Sequence, residues 1–296
     1  MKKRSNVARL AAVPVALAAL IVAASCSRSP RELSVTAMTD GTAYTGGFST
    51  ATHGYAIGDF GLALYTDDGG KTWNRGANSS MALYALDSLD AMTCVAAGTD
   101  GNVTMTADGG KTWRRLADVP ARRVKSVSFA NSNLGWVAGK GWIGETVDGG
   151  SSWNAIPLPP GVVMAETVAC RAPGHGALLS SDGSLFATSD GGTRWDMVSK
   201  PVNRKDSAFK PLFAGDNHCA ELRDSGTRLA LVLLGSTKDG FALRGLVSAD
   251  GGKTWTPPKD LALRRAPLTV SVDRSLLVSV FNADSTITRV RLSEEF

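Results

Sequence analysis

The sequence has little of the chemistry that usually marks an enzyme. It contains three histidines, His53, His175 and His218, which lie far apart and lack metal-ligand spacing. It has neither a Gly-rich phosphate loop before a helix nor a Gly-x-Ser-x-Gly elbow. The sequence therefore predicts no catalytic residue, no metal site and no cofactor.

Net charge is also scarce beyond the N-terminus. The formal charge is +5, with 32 basic and 27 acidic residues, but Lys2, Lys3, Arg4 and Arg9 supply four of the basic groups. The rest of the chain is nearly neutral, so we expect no nucleic-acid partner. No apolar run beyond residue 25 approaches the ~20 residues that a bilayer span requires.

The N-terminus has the order of an export signal. A basic start is followed by the apolar stretch LAAVPVALAALIVAAS and then by Cys26, with small residues before it that resemble a bacterial lipobox. We predict that Cys26 is lipidated; the alternative is an ordinary cleaved signal with an incidental cysteine. Ser27 favours the periplasmic face of the outer membrane if the host is Gram-negative.

These features divide the chain into a signal peptide at 1–25, a lipidated tether at 26–33 and a single domain at 34–296.

Three cysteines remain in that domain, and none has CxxC or metal-ligand spacing. We expect them to be small buried apolar side chains. They are Cys94, Cys170 and Cys219.

One short pattern is repeated five times. Its form is Ser/Thr-x-Asp-Gly-Gly-x-x-Trp, and it holds five of the seven tryptophans. Its aspartates and tryptophans are Asp68 and Trp73, Asp108 and Trp113, Asp148 and Trp153, Asp190 and Trp195, and Asp250 and Trp255. Successive aspartates are separated by 40, 40, 42 and 60 positions. A repeat of about 40 residues has the size of a propeller blade.

The chemistry of the repeat is that of a turn between two strands. The aspartate accepts backbone hydrogen bonds, the glycines permit positive φ, and the tryptophan packs its ring against a sheet. A glycine turn between two β-rich runs precedes the boxes, as in YAIGDFGLALYT, and a polar strand follows. Each repeat therefore predicts four strands, with the box between the third and the fourth.

These repeats predict an all-β fold, a single β-propeller of six four-stranded blades, with seven blades as the alternative. The longest spacing fits one elaborated blade or one blade plus a degenerate one. The tail Leu268–Leu292 supplies three strands without a box, and an early strand at Glu32–Met38 supplies a fourth. Pairing of the two chain ends would close the ring and remove its exposed edges.

The repeats resemble those of the BNR, or Asp-box, propellers. Within that group, Gly54–Trp73 and Leu134–Trp153 look like blades of the photosystem II stability/assembly factor-like family. The resemblance covers roughly residues 43–256 and implies a non-enzymatic protein that assembles or stabilises a membrane complex. From this resemblance we expect a protein partner, namely a membrane protein or complex, but we do not infer that the partner is photosystem II. A monomer is expected.

Two other functions remain open: a glycoside hydrolase of the sialidase type, and a propeller that recognises a periplasmic ligand. A sialidase needs an arginine triad, a tyrosine nucleophile paired with a glutamate, and an acid/base aspartate. The only tyrosines, Tyr44, Tyr55, Tyr65 and Tyr84, all lie in the first third of the chain. No Arg-Ile-Pro segment precedes the first box.

A candidate partner-binding rim follows from blade geometry. Turns between second and third strands should share one face with the connections between blades. In the third repeat this face carries Arg122 and Arg123 from the connection, and Lys140 and Trp142 from the turn. A cationic and aromatic rim suits an acidic protein segment. The alternative is a solvated loop with ordinary basic residues.

Overall fold

The computed structural model describes residues 31–34, 43–77, 81–213, 219–225, 228–274, 276–284 and 286–292. Within these ranges the chain forms six antiparallel sheets arranged as the blades of one propeller. One 3₁₀ helix, Asp59–Gly61, interrupts the strands. No helix in the described part of the chain is long and apolar enough to span a bilayer. Cys26 lies outside the described residues.

The strands follow the predicted order within each repeat. The N-terminal strand is β1 (Arg31–Ser34). Blades 1 and 2 contain β2 (Ala43–Phe48), β3 (Gly54–Gly58), β4 (Ala63–Thr66), β5 (Asn74–Arg75), β6 (Leu83–Ser88), β7 (Cys94–Gly98), β8 (Val103–Thr106) and β9 (Arg114–Arg115). Blades 3 and 4 contain β10 (Val124–Phe129), β11 (Gly135–Gly139), β12 (Trp142–Thr146), β13 (Asn154–Ile156), β14 (Ala165–Ala172), β15 (His175–Ser180), β16 (Leu185–Thr188) and β17 (Asp196–Ser199).

The last two blades depart from this regular form. Blade 5 contains β18 (Lys210–Pro211), β19 (Ala220–Asp224), β20 (Leu229–Thr237), β21 (Gly240–Ser248) and β22 (Lys259–Leu263). Blade 6 contains β23 (Pro267–Val272), β24 (Leu277–Asn282) and β25 (Thr286–Arg291), with β1 as its fourth strand. The prediction of six blades is confirmed, and the seven-blade alternative is excluded.

Blade 5 explains the long spacing between the last two boxes. Strands β18 and β19 both pair with β20, at successive positions along its nine residues. The extra chain therefore elaborates one blade rather than forming a degenerate second one. Arg244 of β21 holds the addition in place, because its guanidinium donates to Asp260 at 2.6 and 2.7 Å and to Asp206 at 2.8 Å.

The two ends of the chain close the ring, as predicted. Strand β1 pairs antiparallel with β25, from Arg31 opposite Arg289 to Ser34 opposite Thr286. The described strand thus begins three residues before the predicted domain boundary at residue 34. Apolar side chains of blade 6, including Ile287, pack with Phe48 of blade 1 and bury the seam between the blades.

The first strands of the blades surround the axis. Strands β2, β6, β10, β14, β19 and β23 contact one another in this order around the ring. Behind them the apolar core lies between blades rather than inside one. Val95 and Met105 of blade 2, for example, share a cluster with Val127 and Val137 of blade 3. This packing fixes the angle between neighbouring blades and hence the positions of the loops at both ends of the axis.

Backbone hydrogen bonds divide the loops between two faces. At one end the box turn of blade 2 joins the loop between its first two strands, since the Gly109 N–H donates to the Met92 carbonyl at 3.0 Å. At the other end the Asp100 N–H donates to the Arg122 carbonyl, in the connection between blades, at 2.7 Å. We call these ends the Asp-box face and the opposite face.

Candidate functional site

The five box aspartates are held inside their turns. In the second box the Thr106 hydroxyl donates to Asp108 at 2.9 Å and accepts the Gly110 N–H at 2.9 Å. Asp108 also accepts the hydroxyl and backbone N–H of Thr112, and these bonds lower its pKa to about 2. Gly110 has a φ of 90°, where a Cβ atom would meet Tyr65 at 2.9 Å. The carboxylates therefore serve the turns.

The box tryptophans, which are partly buried, link neighbouring blades. The Trp195 indole of blade 4 donates to the Pro157 carbonyl of blade 3 at 2.7 Å and meets the Trp136 ring edge-on. Trp113 of blade 2 packs edge-on against Tyr55 of blade 1, with ring centroids 6.1 Å apart. These side chains hold neighbouring blades together.

The predicted rim lies on the opposite face. Arg122 and Lys140 are exposed there. The Arg123 guanidinium instead lies 3.6 Å from the centroid of the Tyr84 ring, in a cation–π contact, and Trp142 packs on the core between blades 2 and 3. Two of the four rim side chains are therefore engaged within the propeller, which leaves Arg122 and Lys140 as its most accessible cations.

A deeper site lies on the Asp-box face. Two cavities, of about 240 and 400 Å³, share Arg171 and Asp224 and run from the axis to the crevice between blades 4 and 5. We call them together the axial groove. The inner cavity is further lined by Phe129, Cys170, Arg223 and Arg274. The outer cavity is further lined by His175, Thr188, Arg228 and Leu229.

The groove has a surplus of positive charge at its surface. Arg171, Arg228 and Arg274 are exposed, whereas Asp224 is the acidic side chain that lines both cavities, with 17% of its surface accessible. The Arg171 Nε lies 3.8 Å from Asp224. Arg274 donates to the Phe129 carbonyl at 2.8 Å, which holds it across the mouth of the axis. Such an arrangement of guanidinium groups suits carboxylate or phosphate groups.

A buried ion pair forms the floor of the groove. Arg223 of blade 5 donates from Nη1 to Asp87 of blade 2 at 2.8 Å, and these two blades are opposite each other in the ring. Arg223 also donates to Glu221 at 3.1 Å and to the Val272 carbonyl at 3.0 Å. Asp87 in turn accepts the Phe129 N–H at 2.6 Å. This axial ion pair thus connects four of the six blades.

Burial governs the protonation of the groups below the surface. Desolvation lowers the pKa of Arg223, but the carboxylates of Asp87 and Glu221 outweigh it and raise the pKa overall. Burial, with a smaller effect from Glu145, raises the pKa of Cys170 to about 12. Cys170 therefore lines the groove as a neutral thiol.

The described lining of the groove contains arginines but no tyrosine of the kind that a sialidase uses as its nucleophile. Tyr55 is fully buried, and burial raises its pKa strongly. Among the residues that the structure describes, no three His, Cys, Asp or Glu side chains are grouped to hold a metal. What the site does present is a set of guanidinium groups around a concave, partly apolar surface.

The sequence did not reveal this groove. Arg171, Arg223 and Arg274 come from three different blades, each at or just beyond the end of a strand that lines the axis. They lie about fifty residues apart, outside the boxes, so the repeat gives them no visible motif. No constant spacing from a box marks them either, since Arg171 and Arg223 precede Asp190 and Asp250 by 19 and 27 positions and the blade of Arg274 has no box.

Fold and boxes together define an Asp-box β-propeller. Residues 64–75 match the BNR/Asp-box repeat, and residues 77–204 match the family model described as photosynthesis system II assembly factor YCF48. The resemblance to a BNR propeller of the photosystem II assembly factor-like family is thus confirmed. No curated protein sequence matches the chain.

Solved structures agree on the fold. YCF48 from Cyanidioschyzon merolae has 16% identity and a TM-score of 0.56, with 88% of this chain and 99% of that chain covered. A structure described as YCF48 bound to D1 peptide has 16% identity and a TM-score of 0.55, with 88% and 96% covered. The WD40 propeller of Doa1 reaches a TM-score of 0.55 at 10% identity, covering 88% and 97%. At these identities the likeness establishes architecture alone.

Proposed function

We propose that this chain is an exported, non-enzymatic propeller, anchored to a membrane by a lipid on Cys26, that binds an acidic segment of a protein. Through this binding it assists the assembly or stability of a membrane-associated complex. The observation that carries the proposal is the axial groove, where Arg171, Arg228 and Arg274 surround Asp224. If the host is Gram-negative, Ser27 supports an outer-membrane location on the periplasmic side.

The family resemblance supports a protein ligand for this groove. One propeller of similar fold is described as bound to D1 peptide. An extended peptide fits a groove that is apolar at Leu229 and Phe129 and basic at its edges, because arginine pairs with carboxylates in a bidentate manner. Identification of the protein that the groove captures would identify the complex.

A crosslinked pull-down of the lipidated protein from its own membranes tests the proposal. Two matched double variants reverse charge on the two faces: Arg171→Glu with Arg274→Glu in the groove, and Arg122→Glu with Arg123→Glu on the rim. We expect the groove variant to lose about tenfold or more of the captured partner, since reversed charges repel an acidic segment. The rim variant should capture as much as the wild type.

The opposite result would move the binding site from the groove to the rim. Loss of capture in the rim variant alone, with both variants melting close to the wild type, would assign binding to the rim and overturn the groove. A fluorogenic sialoside assay tests the hydrolase alternative, and we expect no turnover above buffer. Hydrolysis that disappears in the groove variant would make the protein an enzyme.

A further inference from the structure

The direction of β1 fixes the face from which the N-terminal tether leaves the propeller. Arg31, at the start of β1, pairs with Arg289, whereas Ser34, at its end, pairs with Thr286. The Arg289 guanidinium donates at 3.1 Å to the carbonyl of Ala51, in the loop on the Asp-box face of blade 1. Strand β1 therefore begins at the Asp-box face and runs towards the opposite face.

We infer that the Asp-box face of blades 6 and 1 lies against the membrane surface, an inference that rests on the proposed lipid at Cys26. Four residues separate Cys26 from Arg31. Fully extended, this tether spans at most about 18 Å. A strand of five or six residues is already about 17–20 Å long. A tether of this length cannot run past the blade and also bring the opposite face to the bilayer.

Charge on the same face agrees with this orientation. Blades 1 to 5 each place a box aspartate there, and backbone or side-chain hydrogen bonds hold the pKa of each below its usual value. Blade 6 has no box and instead presents Arg274 and Arg291, both exposed. The blade that carries the tether thus presents two exposed arginines on this face and no box aspartate, which suits anionic lipid headgroups.

The orientation specifies the kind of segment that the axial groove receives. The groove opens on the Asp-box face, so it faces the bilayer from a height set by the tether. An acidic segment that enters it must lie close to the membrane surface, as the chain immediately next to a membrane span does. A segment from a distant soluble domain would have to enter the gap between the propeller and the lipid.

Site-directed quenching in vesicles tests the orientation. Ala51→Cys and Ala283→Cys form a matched pair of exposed alanines, the first on the Asp-box face of blade 1 and the second in the turn between β24 and β25 on the opposite face. Cys94, Cys170 and Cys219 are buried, so an environment-sensitive maleimide dye should mark the introduced thiol. The lipidated protein is reconstituted in phosphatidylethanolamine/phosphatidylglycerol vesicles that contain a nitroxide-headgroup lipid.

We expect the Ala51→Cys label to be quenched at least about twofold more than the Ala283→Cys label, because a strand length separates the two positions. Equal quenching, or stronger quenching at position 283, on vesicle-bound protein would overturn the orientation and leave the lipid anchor intact. Protein that stays in solution, with Cys26 reactive towards maleimide, would overturn the anchor and the orientation together. The unsubstituted protein sets the background labelling.

Discussion

The axial ion pair gives the sharpest test of how the ring is held together. Asp87 is fully buried and Arg223 nearly so, and the pair joins opposite blades. Replacement of Asp87 by asparagine keeps an oxygen that can accept the Phe129 N–H, but it removes one of the carboxylates that neutralise the buried Arg223 guanidinium. Loss of one partner of a buried pair typically costs about 3–5 kcal/mol. Because Glu221 still contacts Arg223, we expect the lower end, about 3 kcal/mol of unfolding free energy.

Thermal and urea unfolding, followed by circular dichroism, measure this effect. A loss of about 3 kcal/mol lowers Tm by roughly 6–12 °C in a domain of this size. Adding both Arg223→Met and Glu221→Gln to Asp87→Asn removes the uncompensated cation together with the buried carboxylate that Arg223 also neutralises, and should recover stability, since replacement of a whole buried ionic cluster is often neutral. Asp87→Asn melting within about 2 °C of the wild type, or a triple variant less stable than Asp87→Asn alone, would show that the ion pair does not hold the ring together.

Three further predictions concern the boxes and the thiols. Trp113→Ala should lower the free energy of unfolding by about 3 kcal/mol, measured in urea, because the indole of Trp113 packs onto Tyr55 of the neighbouring blade. A variant as stable as the wild type would show that the contact between these blades does not need the indole. The pKa of Asp108 is lower in the fold than the usual 3.8, so its contribution is complete above that value and is lost as pH falls towards about 2. Melting at a series of pH values should therefore show a smaller acid-induced drop in Tm for Asp108→Asn than for the wild type. The three buried thiols should resist Ellman's reagent at pH 8 and react fully in denaturant, because burial raises their pKa values; rapid reaction of the folded protein would contradict their burial.

The boxes made the architecture predictable because each one fixes its own turn locally. Asp108, Gly110 and Trp113 form their contacts within a few residues or with the adjacent blade, so a repeated pattern translates directly into repeated blades. The closing strand was also within reach, since a tail of three strands requires a fourth. Whether the longest repeat forms one blade or two could not be predicted, because the pairing of both β18 and β19 with β20 depends on packing that has no sequence motif.

The candidate site was predictable to a smaller extent. The sequence showed the clustered arginines Arg122 and Arg123, which are neighbours in the chain and so are easy to see. The groove arginines are brought together only by closure of the ring, which places residues from blades 4, 5 and 6 around one axis. Spatial clusters of this kind depend on the number of blades and on the angle between neighbouring blades, and a local sequence pattern predicts neither quantity.

Closure by β1 also sets the order in which the fold can be completed. Leu33 pairs with Ile287, so this ladder joins positions about 250 residues apart and is the slowest kind of contact to form. Until β1 pairs with it, β25 is the outermost strand of blade 6 and keeps an open hydrogen-bonding edge. During that interval the β1 of one molecule can pair with the β25 of another, which is strand exchange. Ring closure, rather than blade formation, is thus the step at which newly made molecules compete with one another for the same edge.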